Sequence, residues 1–178
     1  MTKKQKESNE MLAFVAEVFE KQVPFNRVLD LRVDIDDEAQ VKVSFRMKDK
    51  LVGNFIRGTL HGGVIFSALD VVGGLVAFVN LCPRRKSRLT DEEIALFSRL
   101  GTIDMRVDFL RPGLGEVFFA TGLVLRVGRK VAVTRMELHN DEGSLIAVAT
   151  GAYSTGAYTV SLLRLKQSCT LGDIVVPS

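Results

Sequence analysis

The sequence predicts an α+β domain in which a curved antiparallel sheet wraps one long central helix. Three observations predict it. The stretch from Gly62 to Val79 is apolar apart from Ser67 and Asp70, period-two alternation precedes it and fills most of the chain after it, and turn residues divide the alternating runs. A helix apolar on nearly every face needs cover all round, and a sheet curved about it supplies that cover.

The elements follow in order. From Ser8 to about Val23 the residues Met11, Leu12, Val15, Val18 and Phe19 recur at helical spacing, and Pro24 is expected to stop this amphipathic helix. Leu31 to Asp36 and Ala39 to Met47 then alternate, with Val33 and Ile35 on one arm and Val41, Val43 and Phe45 on the other. They read as a hairpin around Asp36-Asp37-Glu38. The central apolar stretch is long enough to span a bilayer, but Asp70 near its middle would be costly in lipid, and the strands around it favour a soluble core helix. After Cys82-Pro83, the run Thr90-Asp91-Glu92-Glu93 has the form of a capping box before a short surface helix.

Four alternating runs complete the pattern. Ile103, Met105, Val107 and Phe109 oppose Asp104, Arg106 and Asp108; the others centre on Val117 to Leu125, on Val131 to Leu138, and on the segment ending near Ser154. Pro112-Gly113, Gly128 and Asn140-Asp141-Glu142-Gly143 separate them, so a meander of four successive antiparallel strands is the economical expectation. Residues 1–156 are expected to form one domain, and 157–178 a C-terminal extension whose pattern assigns it no role.

Composition narrows the function classes. The chain has 178 residues, 47% hydrophobic and 25% charged, which suits one folded domain. A net charge of +3, dispersed cations, two tyrosines and no tryptophan do not suit a nucleic-acid groove. Cys82 and Cys169 form neither a disulfide framework nor a metal set, and the polar start Met1 to Glu10 has no secretory apolar core. A cytoplasmic protein without metal or cofactor is expected.

Chemistry concentrates where the central helix begins. His61 precedes Gly62-Gly63, and Asp70 follows nine residues after the histidine. Each has a bland account: His61 as a cap, the glycines as a turn, Asp70 as a partner for nearby backbone. Together they resemble a reaction centre, because a helix N-terminus offers unpaired N–H donors to an oxyanion, and glycine lets a substrate oxygen approach. Asp70, between Leu69 and Val71, is expected to be basic enough to activate water, or to attack a carbonyl itself. Nine residues of helix separate His61 from Asp70 by roughly 13 Å and about half a turn, so one helix does not aim both at one carbonyl. If both serve one reaction, they meet across a two-fold axis between two subunits.

The segments Asn54, Gly58-Thr59-Leu60-His61-Gly62-Gly63 and Asp70 resemble the signature of the PaaI-type acyl-CoA thioesterases of the hotdog superfamily. The similarity continues through Gly101 to Gly113 and Leu125 to Val133, and with Pro24-Phe25-Asn26-Arg27 and Glu137-Leu138-His139-Asn140 it points to a bacterial medium- and long-chain subgroup. The resemblance implies the hotdog fold and hydrolysis of acyl-CoA. It implies that the Gly62 N–H polarises the thioester carbonyl, that His61 shapes the oxyanion site, that Asp70 of the facing subunit is base or nucleophile, that Thr102 positions water, and that Asn54 belongs to the catalytic set.

Coenzyme A is polyanionic, so Arg111, Arg126, Arg129 and Lys130 are candidate contacts beside Gly63 and Gly128, although solvated strand ends explain these cations as readily. Phe66 and Phe109 are candidates to line an acyl slot. A homodimer, or a tetramer built as a dimer of dimers, is expected. Acyl-thioester hydration on the same fold and non-catalytic acyl-CoA binding remain alternatives.

Overall fold

In the computed structural model the described residues are 3–82, 97 and 99–155, with side chains described from residue 9. Of the helix expected after Thr90 only Phe97, in helical conformation, is among them, and the extension 157–178 lies outside them. Helix α1, Lys3–Glu17, continues through a π turn, Val18–Gln22, and buries Met11, Leu12, Val15 and Phe19. The first helix ends before Pro24, as expected, but helical structure resumes at once. After the extended residue Val23, Pro24 opens a second short helix, α2, Pro24–Leu29, at a position where its missing N–H leaves no bond unmade. The buried Asn26 Nδ2 donates to the Phe19 carbonyl at 2.8 Å and ties α2 back to the π turn.

The expected hairpin forms from β1, Arg32–Ile35, and β2, Val41–Arg46, with Val33 opposite Val43 and Ile35 opposite Val41. A 3-10 turn at Asp49–Leu51 leads into a two-stranded ribbon, β3 Val52–Asn54 with β4 Thr59–Leu60. The central helix α3, Gly62–Leu81, follows at once. Then come β5 Gly101–Phe109, β6 Val117–Val127, β7 Val131–Asn140 and β8 Leu145–Ser154.

Six strands form one antiparallel sheet in the order β1-β2-β6-β7-β8-β5. The expectation of a meander holds for β6, β7 and β8 and fails for β5, which pairs with β8 at the far edge. Both sides of β6 are already occupied, by β2 through Val43–Ala120 and by β7 through Ala120–Leu138, so β5 takes the open side of β8. Inward residues of the sheet, among them Val43, Phe118, Met136 and Ala147, meet Ala68, Leu69, Val72, Leu75 and Phe78 of α3, all fully buried. By length and apolarity alone α3 passes as a membrane span, but its apolar faces are used against the sheet.

Candidate active site

The first turn of α3 resolves the His-Gly-Gly motif into separate duties. His61 is the N-cap in extended conformation, and its Nδ1 accepts the Gly63 N–H at 2.9 Å. With Nδ1 accepting, the ring proton sits on Nε2, leaving a donor on an exposed side chain. Val64 and Ile65 both donate to the His61 carbonyl, at 2.9 and 3.2 Å. Of the first four helical N–H groups, Gly62 alone meets no acceptor among the described residues. Gly63 thus serves His61, and a Cβ there would stand 2.9 Å from Nδ1. The Phe109 ring borders Gly62, 3.5 Å from where a Cβ would be.

His61 is further held by groups the sequence did not single out. Its N–H donates to the Leu51 carbonyl at 2.8 Å, and Gly53 lies so close that a Cβ would fall 2.7 Å from His61 Cα. Asn54 Oδ1 accepts the N–H groups of Ile56 and Arg57, both at 3.1 Å, and so shapes the β3–β4 turn.

Asp70, the ninth residue of α3, is half-buried and belongs to a different neighbourhood. Thr102 Oγ1 donates to its Oδ1 at 2.7 Å, and the Tyr153 hydroxyl lies 3.3 Å from the same oxygen. Burial, and after it the Asp70 charge, hold the Tyr153 phenol far above its ordinary pKa, so it remains a donor. Among the described residues no donor meets Asp70 Oδ2.

Thr102 reaches Asp70 because of a bulge. Strict alternation from Met105 and Val107, which face the core, would turn Thr102 to the outer face. The register shifts between Thr102 and Asp104, Ile103 is left half-exposed, and Thr102 falls opposite the inward Tyr153.

The candidate residues therefore form two groups in one protomer. His61, Gly62, Gly63 and Phe109 lie at one end of β5, where Arg111 follows and donates to the Leu145 carbonyl at 2.9 Å. Asp70 and Thr102 lie at the other. A row of paired residues runs from Thr102 through Tyr153 and Ala132 to Val127, so the β6–β7 turn with Gly128, Arg129 and Lys130 shares that end of the sheet, three strand spacings or roughly 14 Å away. Arg126, Arg129 and Lys130 are exposed there, Gly128 closes the turn by donating to Val131, and Phe66 is 41% exposed on α3.

Residues 57–147, carrying both groups, match the Thioesterase superfamily. The chain belongs to that family. It is 45% identical over 149 residues to the Escherichia coli K12 protein named medium/long-chain acyl-CoA thioesterase YigI, covering 84% of this chain and 96% of that one. A Shewanella oneidensis crystal structure related to the thioesterase superfamily is 50% identical and superposes with a TM-score of 0.75, over 84% of this chain and 97% of its own. A crystal structure from Syntrophus aciditrophicus is 43% identical with a TM-score of 0.72, over 85% and 99%. This thioesterase-superfamily chain is a thioester hydrolase with the hotdog fold of its relatives.

Proposed function

We propose that this thioesterase hydrolyses medium- to long-chain acyl-CoA at paired sites, each built from the first turn of α3 in one subunit and Asp70 of another. The observation that carries the chemistry is the first turn of α3, where Gly62 keeps an uncommitted N–H at the positive end of a 20-residue helix. The E. coli relative's name supports the substrate class.

In this reading the thioester oxygen accepts from the Gly62 N–H, and His61 Nε2 closes the other side of the oxyanion pocket. Asp70 Oδ2 takes a proton from water as its oxygen attacks the carbonyl carbon. The tetrahedral intermediate then collapses, breaking the carbon–sulfur bond and releasing coenzyme A. Direct attack by Oδ2 is the other route. It expels the coenzyme A thiolate and leaves a mixed anhydride, which water then opens. Label found in the Asp70 carboxylate after single turnover in 18O water identifies this route, because water opening the anhydride at the Asp70 carbonyl puts it there and general-base attack does not.

The distance between the two groups within a protomer supports a dimer. So does β5, whose nine residues, among the described residues, pair with β8 on one side only. Antiparallel pairing of two β5 edges would bring the Phe109 and Arg111 end of one subunit to the Thr102 and Asp70 end of its partner. Arg111 from one subunit and Arg126, Arg129 and Lys130 from the other would then surround the anionic coenzyme, with Phe66 and Phe109 along the acyl chain. The exposed apolar face formed by Leu123, Leu125, Val127 and Val131 is the surface on which two dimers would pack into a tetramer.

Thiol release from a panel of acyl-CoAs of increasing chain length tests the proposal. Wild type is expected to turn over, and Asp70→Ala to lose about 10²- to 10⁴-fold in kcat. Equal rates in both proteins would overturn the role of Asp70.

A further inference from the structure

Tyr153 is a buried polar side chain that the reaction above does not use. It heads the largest fully buried side chains, at 1% exposure, on the inner face of β8. Two elements vacate space for its ring. A Cβ at Gly73, one turn beyond Asp70 on α3, would overlap its hydroxyl and stand 2.7 Å from Cζ, and a Cβ at Gly151 would stand 2.9 Å from Cε2. Phenylalanine would fill the same space without burying a hydroxyl, and a buried hydroxyl is costly unless bonded. Its oxygen lies 3.3 Å from both Asp70 Oδ1 and the Asp70 carbonyl.

We propose that Tyr153 is a positioning residue which, with Thr102, fixes Asp70 Oδ1 and so presents Oδ2 to the thioester. The two hydroxyls approach from adjacent strands, β8 and β5, at paired positions, so the carboxylate is held from two directions rather than by one flexible donor. The raised phenol pKa keeps the proton on Tyr153 across the working range, so its bond runs toward the carboxylate. The Thr134 hydroxyl, fully buried nearby, donates to Met136 Sδ at 3.0 Å, and its effect on the phenol, in the opposite sense, is the smallest of the contributions.

This inference rests on Asp70 being the base or nucleophile. Tyr153→Phe keeps the ring and removes only the hydroxyl. Its melting temperature should stay near wild type, kcat should fall about tenfold or more, and KM should stay within about twofold. In the double variant with Thr102→Val the loss should be smaller than the product of the single losses, since both hydroxyls act on one oxygen. A crystal structure of Tyr153→Phe should show the Asp70 carboxylate turned from its wild-type orientation. Unchanged kcat would overturn the proposal, as would a carboxylate left in place, or a loss shared by kcat, KM and melting temperature. If wild type hydrolyses no acyl-CoA, the thioesterase reading fails by itself, and the carboxylate orientation alone decides the role of Tyr153.

Discussion

His61 stands where it does because Gly53 leaves room for it. Most small-to-large changes are absorbed by a side chain that swings aside, but a Cβ at Gly53 would press on the His61 α-carbon, which cannot move without shifting the start of α3. Gly53→Ala is therefore expected to cost about 1–3 kcal/mol in urea unfolding. It should also lower kcat/KM more than an equally destabilising change elsewhere, because the Gly62 N–H moves with the helix end. Activity lost only in proportion to stability would refute the link. The His-Gly-Gly to Asp spacing is visible in the chain, whereas Gly53 looks like an ordinary turn residue and Tyr153 like one more apolar strand position. One signal for the second was present. Gly73 sits inside a helix, where glycine costs about 1 kcal/mol relative to alanine, and such a cost invites a packing reason, here the Tyr153 hydroxyl.

Among the elements, α3 and β5 divide the work. Helix α3 carries both Gly62 and Asp70, so its straightness sets their separation, and the sheet that encloses it sets its place. Leu75, fully buried a turn and a half beyond Asp70, anchors it. Leu75→Ala is expected to destabilise the fold by about 2–5 kcal/mol, read by chemical denaturation, while KM stays near wild type in folded protein. A large KM change without loss of stability would show that the helix positions substrate through Leu75 instead. Strand β5 supplies Thr102 through one extra residue. Without the bulge at Ile103, the hydroxyl would face away from the helix, and Asp70 Oδ1 would lose its 2.7 Å donor. Nothing in the composition of Gly101-Thr102-Ile103-Asp104 marks that irregularity, because a bulge is defined by the partner strand.

For the whole molecule, the two groups of candidate residues at opposite ends of β5 lead to a test of assembly. Asp70→Ala and His61→Ala are each expected to be nearly inactive alone. If each site takes one group from each subunit, unfolding and refolding them together should restore activity, because a mixed dimer has one site carrying both defects and one carrying none. Random pairing puts the recovery at about a quarter of wild type. No recovery, with mixed dimers verified by mass spectrometry, would place each site within a single subunit. Sedimentation of the wild type should show at least a dimer, and a fully active monomer would exclude the shared site.

The chain alone carried the long core helix, the β1–β2 hairpin, the inward and outward faces of the later strands, and the motif at the helix start. These are local properties: side-chain periodicity reports which face of an element is buried, and glycine and proline report where elements end. Tertiary structure decided that β5 lies beyond β8, that a bulge turns Thr102 inward, that Gly53 seats His61 and that Tyr153 reaches Asp70. Each depends on which segments become neighbours, and alternation names a face without naming the strand beside it.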